Sequence, residues 1–145
     1  MRAYASTLQL VGAKLPARAP RSSLRSGLVE INPRTVPFGA VGRLSGKLGI
    51  EPRLLLDMIR IPARTALRRH AAGFLNTEEA DRLLRVARVV EEAIRIFGSE
   101  EKTSRWLKTS HPLLGDTTPL SLLDSDAGAR LVEEELVRID YGDFA

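Results

Sequence analysis

Residues 76–98 read NTEEADRLLRVARVVEEAIRIFG, and their spacing decides the fold class. Leu83, Val86, Ala87, Val90, Ala93, Ile94 and Phe97 recur at three and four residues, which is the period of an amphipathic helix. Asn76 followed by Glu79 is a capping-box pattern at the start, and Gly98 supplies the stop. The expected helix therefore runs from about Thr77 to Phe97. Val89 and Ile96 widen its apolar face to about half the wheel, more than one amphipathic stripe requires. Such a face needs two neighbours, supplied by the same chain or in part by a second copy.

Upstream, helical periods continue in shorter pieces. Phe38, Val41, Leu44 and Leu48 define a helix that begins near Pro37 and ends at Gly49. In IEPRLLLDMIRI (50–61), Pro52 suits a first turn, and Leu54, Leu55 and Met58 are expected to pack inward. PARTALRRHAAGF (62–74) opens on Pro62 and stops at Gly73. Three short helices with tight joints, the third rich in arginine, predict a helix-turn-helix arrangement. On a wheel of the third, Ala63, Ala66, Leu67, His70 and Phe74 form an apolar back. Arg64, Thr65, Arg68 and Arg69 fall on the other side within about 140°. These four are the candidate DNA-binding residues, because arginine can bond guanine edges bidentately and also neutralise phosphate. His70 is expected to pack rather than to contact DNA.

Downstream, Ser99 caps a short helix in SEEKTSRWLKTS that holds the only tryptophan, Trp106, assigned to the core. His111 stands beside Pro112 in a loop and is expected to be solvated. Thr118 and Pro119 open a brief helix with Leu120, Leu122 and Leu123. A last helix from about Asp126 to Tyr141 carries Ala129, Val132, Leu136 and Ile139 as its stripe, with Gly142 as the stop. No alternating strand pattern occurs, so an all-α fold is expected. Its parts are a basic, flexible arm over residues 1–36, a helix-turn-helix region over 37–75 and a helical domain over 76–145.

Charge divides at the same place. Up to Leu75 there are 13 Lys/Arg and 3 Asp/Glu, and from Asn76 onward 9 and 15. A basic half favours a polyanion and an acidic half disfavours one, so the halves call for different partners. With no cysteine in 145 residues, a disulfide scaffold, a thiolate metal site and a cysteine nucleophile are excluded. No apolar run approaches the roughly 18 residues of a membrane span, and no secretory block precedes the fold. A soluble, cytoplasmic protein is expected. No catalytic constellation, Walker pattern or metal-ligand spacing can be assembled. The expectation is a binding protein without cofactor or metal, not an enzyme.

The C-terminal half resembles the toxin-binding domain of the Xre/MbcA/ParS antitoxins. The resemblance rests on ADRLLRVARVVEEAIRIFG (80–98) and WLKTSHPLLGDTTPLSLLDSDAGARLVEEELVRIDYG (106–142). Within these lie Phe97–Gly98, Trp106–Leu107, Leu114–Gly115, Pro119-Leu-x-Leu-Leu, Gly128 and Ile139 with Gly142. The preceding region, Pro37 to Leu75, is similar to the Xre-like helix-turn-helix. Asp116 departs from the pattern, since the family often has a second glycine after Leu-Gly.

The resemblance implies a type II antitoxin that binds and blocks a RES-domain toxin acting on NAD and represses its own operon at operator DNA. The position of the motif at the end of the chain adds the expectation that this end occludes the toxin's active site. A homodimer is then expected, since operator reading by a helix-turn-helix normally uses two copies. The candidate toxin-binding residues are Arg138, Asp140, Tyr141, Asp143 and Phe144, with the aromatics as anchors and the acids facing a phosphate-binding pocket. The alternatives are a stand-alone transcription regulator whose acidic half only dimerises, and an RNA adaptor led by the arm. Against the adaptor, the arm has no interleaved aromatics on which bases could stack.

Overall fold

The computed structural model describes residues 36–142. The basic arm, Asp143 and Phe144 lie outside the described residues, apart from Val36 at the arm's end. Among the described residues the regular structure is helical, with no strand. The helices are α1 (Gly39–Leu48), α2 (Pro52–Met58), α3 (Ala63–Ala72), α4 (Thr77–Phe97), α5 (Glu100–Leu107), α6 (Pro119–Leu122) and α7 (Asp126–Asp140), with a 3-10 turn at Pro112–Leu114.

Local chemistry sets the boundaries. Asn76 Oδ1 accepts the Glu79 N–H at 2.9 Å, and Glu79 Oε2 accepts the Asn76 N–H at 3.0 Å, completing the capping box of α4. Each such cap is worth about 1 kcal/mol. Ser99, Thr118 and Ser125 accept backbone N–H groups at the starts of α5, α6 and α7. Gly73 and Gly98 end α3 and α4 at φ 89° and 76°, a left-handed conformation that glycine adopts without steric cost.

The chain from Val36 to Leu75 closes on itself. Phe38 N–H donates to Gly73 O (2.9 Å) and Leu75 N–H to Val36 O (3.1 Å), which clasps the ends of the three-helix unit together. Inside it Val41, Leu44, Leu48, Leu55, Ile59 and Ile61 are buried. Leu54, expected to pack inward, is instead exposed. The inner face of this seven-residue helix follows Leu55, Met58 and Ile59, and the next position back lies about 100° away from Leu55.

The wide face of α4 is covered from within the chain. Ala80, Leu83, Val86, Ala87, Val89, Val90 and Ala93 are buried on the side of α4 that meets α7, α5 and α1. One apolar core runs through both halves, joining Val41 and Leu44 to Leu83, Val90, Leu107 and Leu136. Polar ties cross the same seam: Lys47 pairs with Glu100 (2.6 Å), and the Ser104 hydroxyl donates to Leu48 O (2.7 Å).

Gly128 meets a close approach. A Cβ there would collide with the carbonyl oxygen of Leu122, so α6 can lie against the first turn of α7 only because the position is glycine. In the loop before α6, Gly115 and Asp116 are both left-handed, at φ 70° and 56°. Asp116 thus occupies a glycine-type conformation, which aspartate tolerates better than most residues.

Candidate functional site

Helix α3 buries only Ala66. Its inner side is completed by Arg69, whose Nε donates to both carboxylate oxygens of Glu79, at 3.1 and 2.9 Å. Glu79 is only 4% exposed and is already oriented by its bond to the Asn76 N–H. A buried carboxylate with two donors is well satisfied, and removing either donor leaves a costly charge. This hook turns α3 by roughly a quarter turn from the orientation that hydrophobicity alone suggests.

Three expectations therefore need correction. Arg69 does not lie with the outward cations, because Glu79 holds it inward. Leu67 (75% exposed), His70 and Phe74 (51% exposed) do not form a buried back. His70 packs only at its edge, with its ring 5.5 Å from that of Phe38.

The outward face is formed by Arg64, Leu67, Arg68 and Ala71, all exposed. No ion pair with an acid is made by Arg64 or Arg68 among the described residues. Arg68 Nη2 lies 3.5 Å from the hydroxyl of the half-buried Thr65. Arg60, exposed in the turn before α3 at φ 59°, adds a cation that the wheel did not single out. The neighbouring carbonyl of Ile59 accepts Arg82 Nε at 2.7 Å, so α4 fixes this turn as well as α3. Chemically the face offers guanidinium groups with no acidic partner among the described residues, suited to an extended polyanion.

Helix α7 is attached differently. Gly128, Ala129, Val132 and Leu136 are buried, and Ile139 is half-buried. Ion pairs flank the stripe: Arg88 with Glu133 at 2.9 Å, and Arg95 with both Glu92 (2.6 Å) and Asp140 (2.8 Å). Hydrogen bonds from Arg95 to Glu92 and Asp140 raise the guanidinium pKa further, so its charge is fixed. Asp140 is thus committed within the chain, and Arg138 lies 3.4 Å from Glu135. Tyr141 is 85% exposed. An open depression of about 460 Å³ is lined by Arg130, Glu133, Glu134, Val137 and Arg138. Leu131 and Val137 are exposed on this helix. They were not singled out as candidates, although both lie off the apolar stripe and were visible on the wheel.

Trp106 is half-buried between Phe97 (centroids 5.4 Å apart) and His111 (5.1 Å). His111 is not simply solvated: Nε2 lies 3.1 Å from Trp106 O, and its ring covers the indole. Among the described residues no group of three or more His, Asp or Glu could hold a metal ion. No helix there is long and apolar enough to cross a membrane.

Residues 27–88 match the family model of the antitoxin Xre-like helix-turn-helix domain. Residues 92–142 match that of the antitoxin Xre/MbcA/ParS C-terminal toxin-binding domain. An "Antitoxin Xre" of Yersinia enterocolitica is 34% identical over 93 residues, covering 63% of each chain. An "Antitoxin Xre" of Photorhabdus laumondii is 33% identical over 90 residues, covering 61% of each. The matched stretch thus spans about three-fifths of the length of these curated relatives. The first family match extends into α4, the helix that holds α3 through Glu79.

Proposed function

The chain belongs to the Xre antitoxin family, and from that premise we propose that it neutralises a toxin by direct binding and represses its own operon through α3. The toxin we propose is a RES-domain protein that consumes NAD, encoded beside this chain in a type II pair. The observation that carries the proposal is that both family domains share one core, yet each displays a helix face with no use inside the fold. On α3 that face is Arg64, Leu67 and Arg68; on α7 it is Leu131 and Val137, with Tyr141 just past the helix end.

In the proposed mechanism, Tyr141 anchors the toxin, with Arg138 at the rim of the depression and Asp143 and Phe144 continuing the contact. Exposed aromatics of this kind carry much of the energy of an interface once buried. Asp140 acts mainly by holding the end of α7 to Arg95. Arg64 and Arg68 enter the major groove, Thr65 and Arg60 lie beside them toward the backbone, and Arg69 positions the helix. Two copies place two such helices one turn of DNA apart, which makes the working unit a homodimer.

The test is to induce the adjacent gene with and without this one while following growth and NAD. Rescue of both, with co-purification of the two proteins, supports the proposal; a harmless or non-binding neighbour overturns it. Replacing Arg64 and Arg68 together by Ala is expected to lower operator affinity about thirtyfold or more at roughly 1–3 kcal/mol per guanine contact, with neutralisation retained. Survival of operator binding in that variant would place recognition elsewhere.

A further inference from the structure

Leu67 is an anomaly for a helix whose fold role is carried by Ala66 and Arg69. At 75% exposure it is an apolar side chain that contributes nothing to the core. Its surroundings favour close approach by something large: Ala63 and Ala71, one turn before and after, are small and exposed, so Leu67 stands above its own surface. Arg64, three residues before, and Arg68, immediately after, are both exposed and have no acidic partner among the described residues.

Whatever covers Leu67 must therefore accept two guanidinium groups beside one apolar group. A second copy of this chain meeting the face symmetrically would set Arg64 and Arg68 against themselves, which like-charge repulsion opposes. Phosphates alone would satisfy the arginines but leave the leucine in water. The major groove provides both chemistries side by side: guanine O6 and N7 accept from arginine, and the C5-methyl of thymine is its apolar group.

We propose that Leu67 is a specificity-determining residue that packs on the C5-methyl group of a thymine adjoining the bases read by Arg64 and Arg68. This rests on the DNA-binding role assigned to α3 above. It adds what a set of cations cannot supply, a preference for thymine over cytosine at one step of each half-site.

The experiment uses the full chain and a random-sequence duplex pool, from which bound sequences are selected. In the most enriched duplex each thymine is then replaced singly by deoxyuridine, which removes the methyl group and nothing else. The expected result is one thymine per half-site whose methyl loss weakens the wild-type chain about fourfold, the scale of one buried methylene-sized group. Leu67→Ala should show no such sensitivity there and should bind the unmodified duplex about as weakly as wild type binds the demethylated one. Since Leu67 is exposed and alanine is a good helix former, thermal unfolding of the variant should match wild type.

Three results overturn the assignment: no methyl-sensitive thymine, equal sensitivity in Leu67→Ala, or loss of self-association by Leu67→Ala in sedimentation. If the wild-type chain enriches no sequence at all, the DNA-binding role of α3 fails first and takes this inference with it.

Discussion

Helices α3 and α7 both present an outward face, but the protein holds them by different forces. α7 lays Ala129, Val132 and Leu136 into the core against α4, and its flanking ion pairs to Arg88 and Arg95 are half-exposed additions. α3 contributes only Ala66 to the core and is steered by the Arg69–Glu79 pair at the other end of the chemical scale. Both are tied to the same long helix, α3 through its first turn and α7 along its apolar face. Apolar burial is non-directional and gives a firm attachment. A charge-assisted hydrogen bond from one guanidinium N–H shared by both carboxylate oxygens gives less net stability but fixes an orientation, which suits the outward face proposed for α3.

The comparison can be broken first where α7 is strongest. Leu136→Ala is expected to cost about 2–5 kcal/mol, the usual range for a fully buried leucine, measured by chemical denaturation. Because the two halves share one core, a single cooperative transition should shift, rather than the C-terminal part melting alone. Glu79 tests the opposite attachment. Glu79→Ala removes a cap and strands the half-buried Arg69, for an expected loss of about 2 kcal/mol. Glu79→Gln can keep the cap while weakening the hook, so its stability loss should be less than half of that. Its DNA affinity should nevertheless fall with the alanine variant's, read by titration of a fluorescent duplex.

Smaller effects sharpen the contrast. Arg95→Ala should shift the thermal midpoint less than either glutamate variant. The difference from wild type should shrink as salt is raised, because the pairs it breaks are solvent-exposed. Tyr141→Ala should leave stability within about 0.5 kcal/mol of wild type, yet weaken toxin co-purification more than any of the others.

Much of this architecture is written in local signals. The Asn76–Glu79 box, the glycines at 73, 98 and 142, and the prolines at 52 and 119 act over four residues or fewer, and the helix ends fall where those residues place them. The ordered C-terminal motif also contains its own structural explanations, such as Gly128 beneath Leu122. Of the candidate sites, Arg64 and Arg68 on α3 and Tyr141 just past the end of α7 were legible as exposed residues, since nothing nearby in sequence competes for them.

The rotation of α3 was not legible. A helical wheel weighs Leu67 against its neighbours on the same helix, but the group that decides the matter is Glu79, ten residues beyond Arg69 and on another element. Its carboxylate serves first as a local cap, visible in the sequence, and second as the buried acceptor of Arg69, which only the folded chain brings within reach. The same holds for Asp140, whose partner Arg95 lies 45 residues earlier. The sequence by itself determined which segments are helices and where each begins and ends, because those choices are made by hydrogen bonds and backbone preferences within a turn. Tertiary structure decided which side of α3 faces outward, because a buried charge must find its counter-charge wherever in the chain that happens to be.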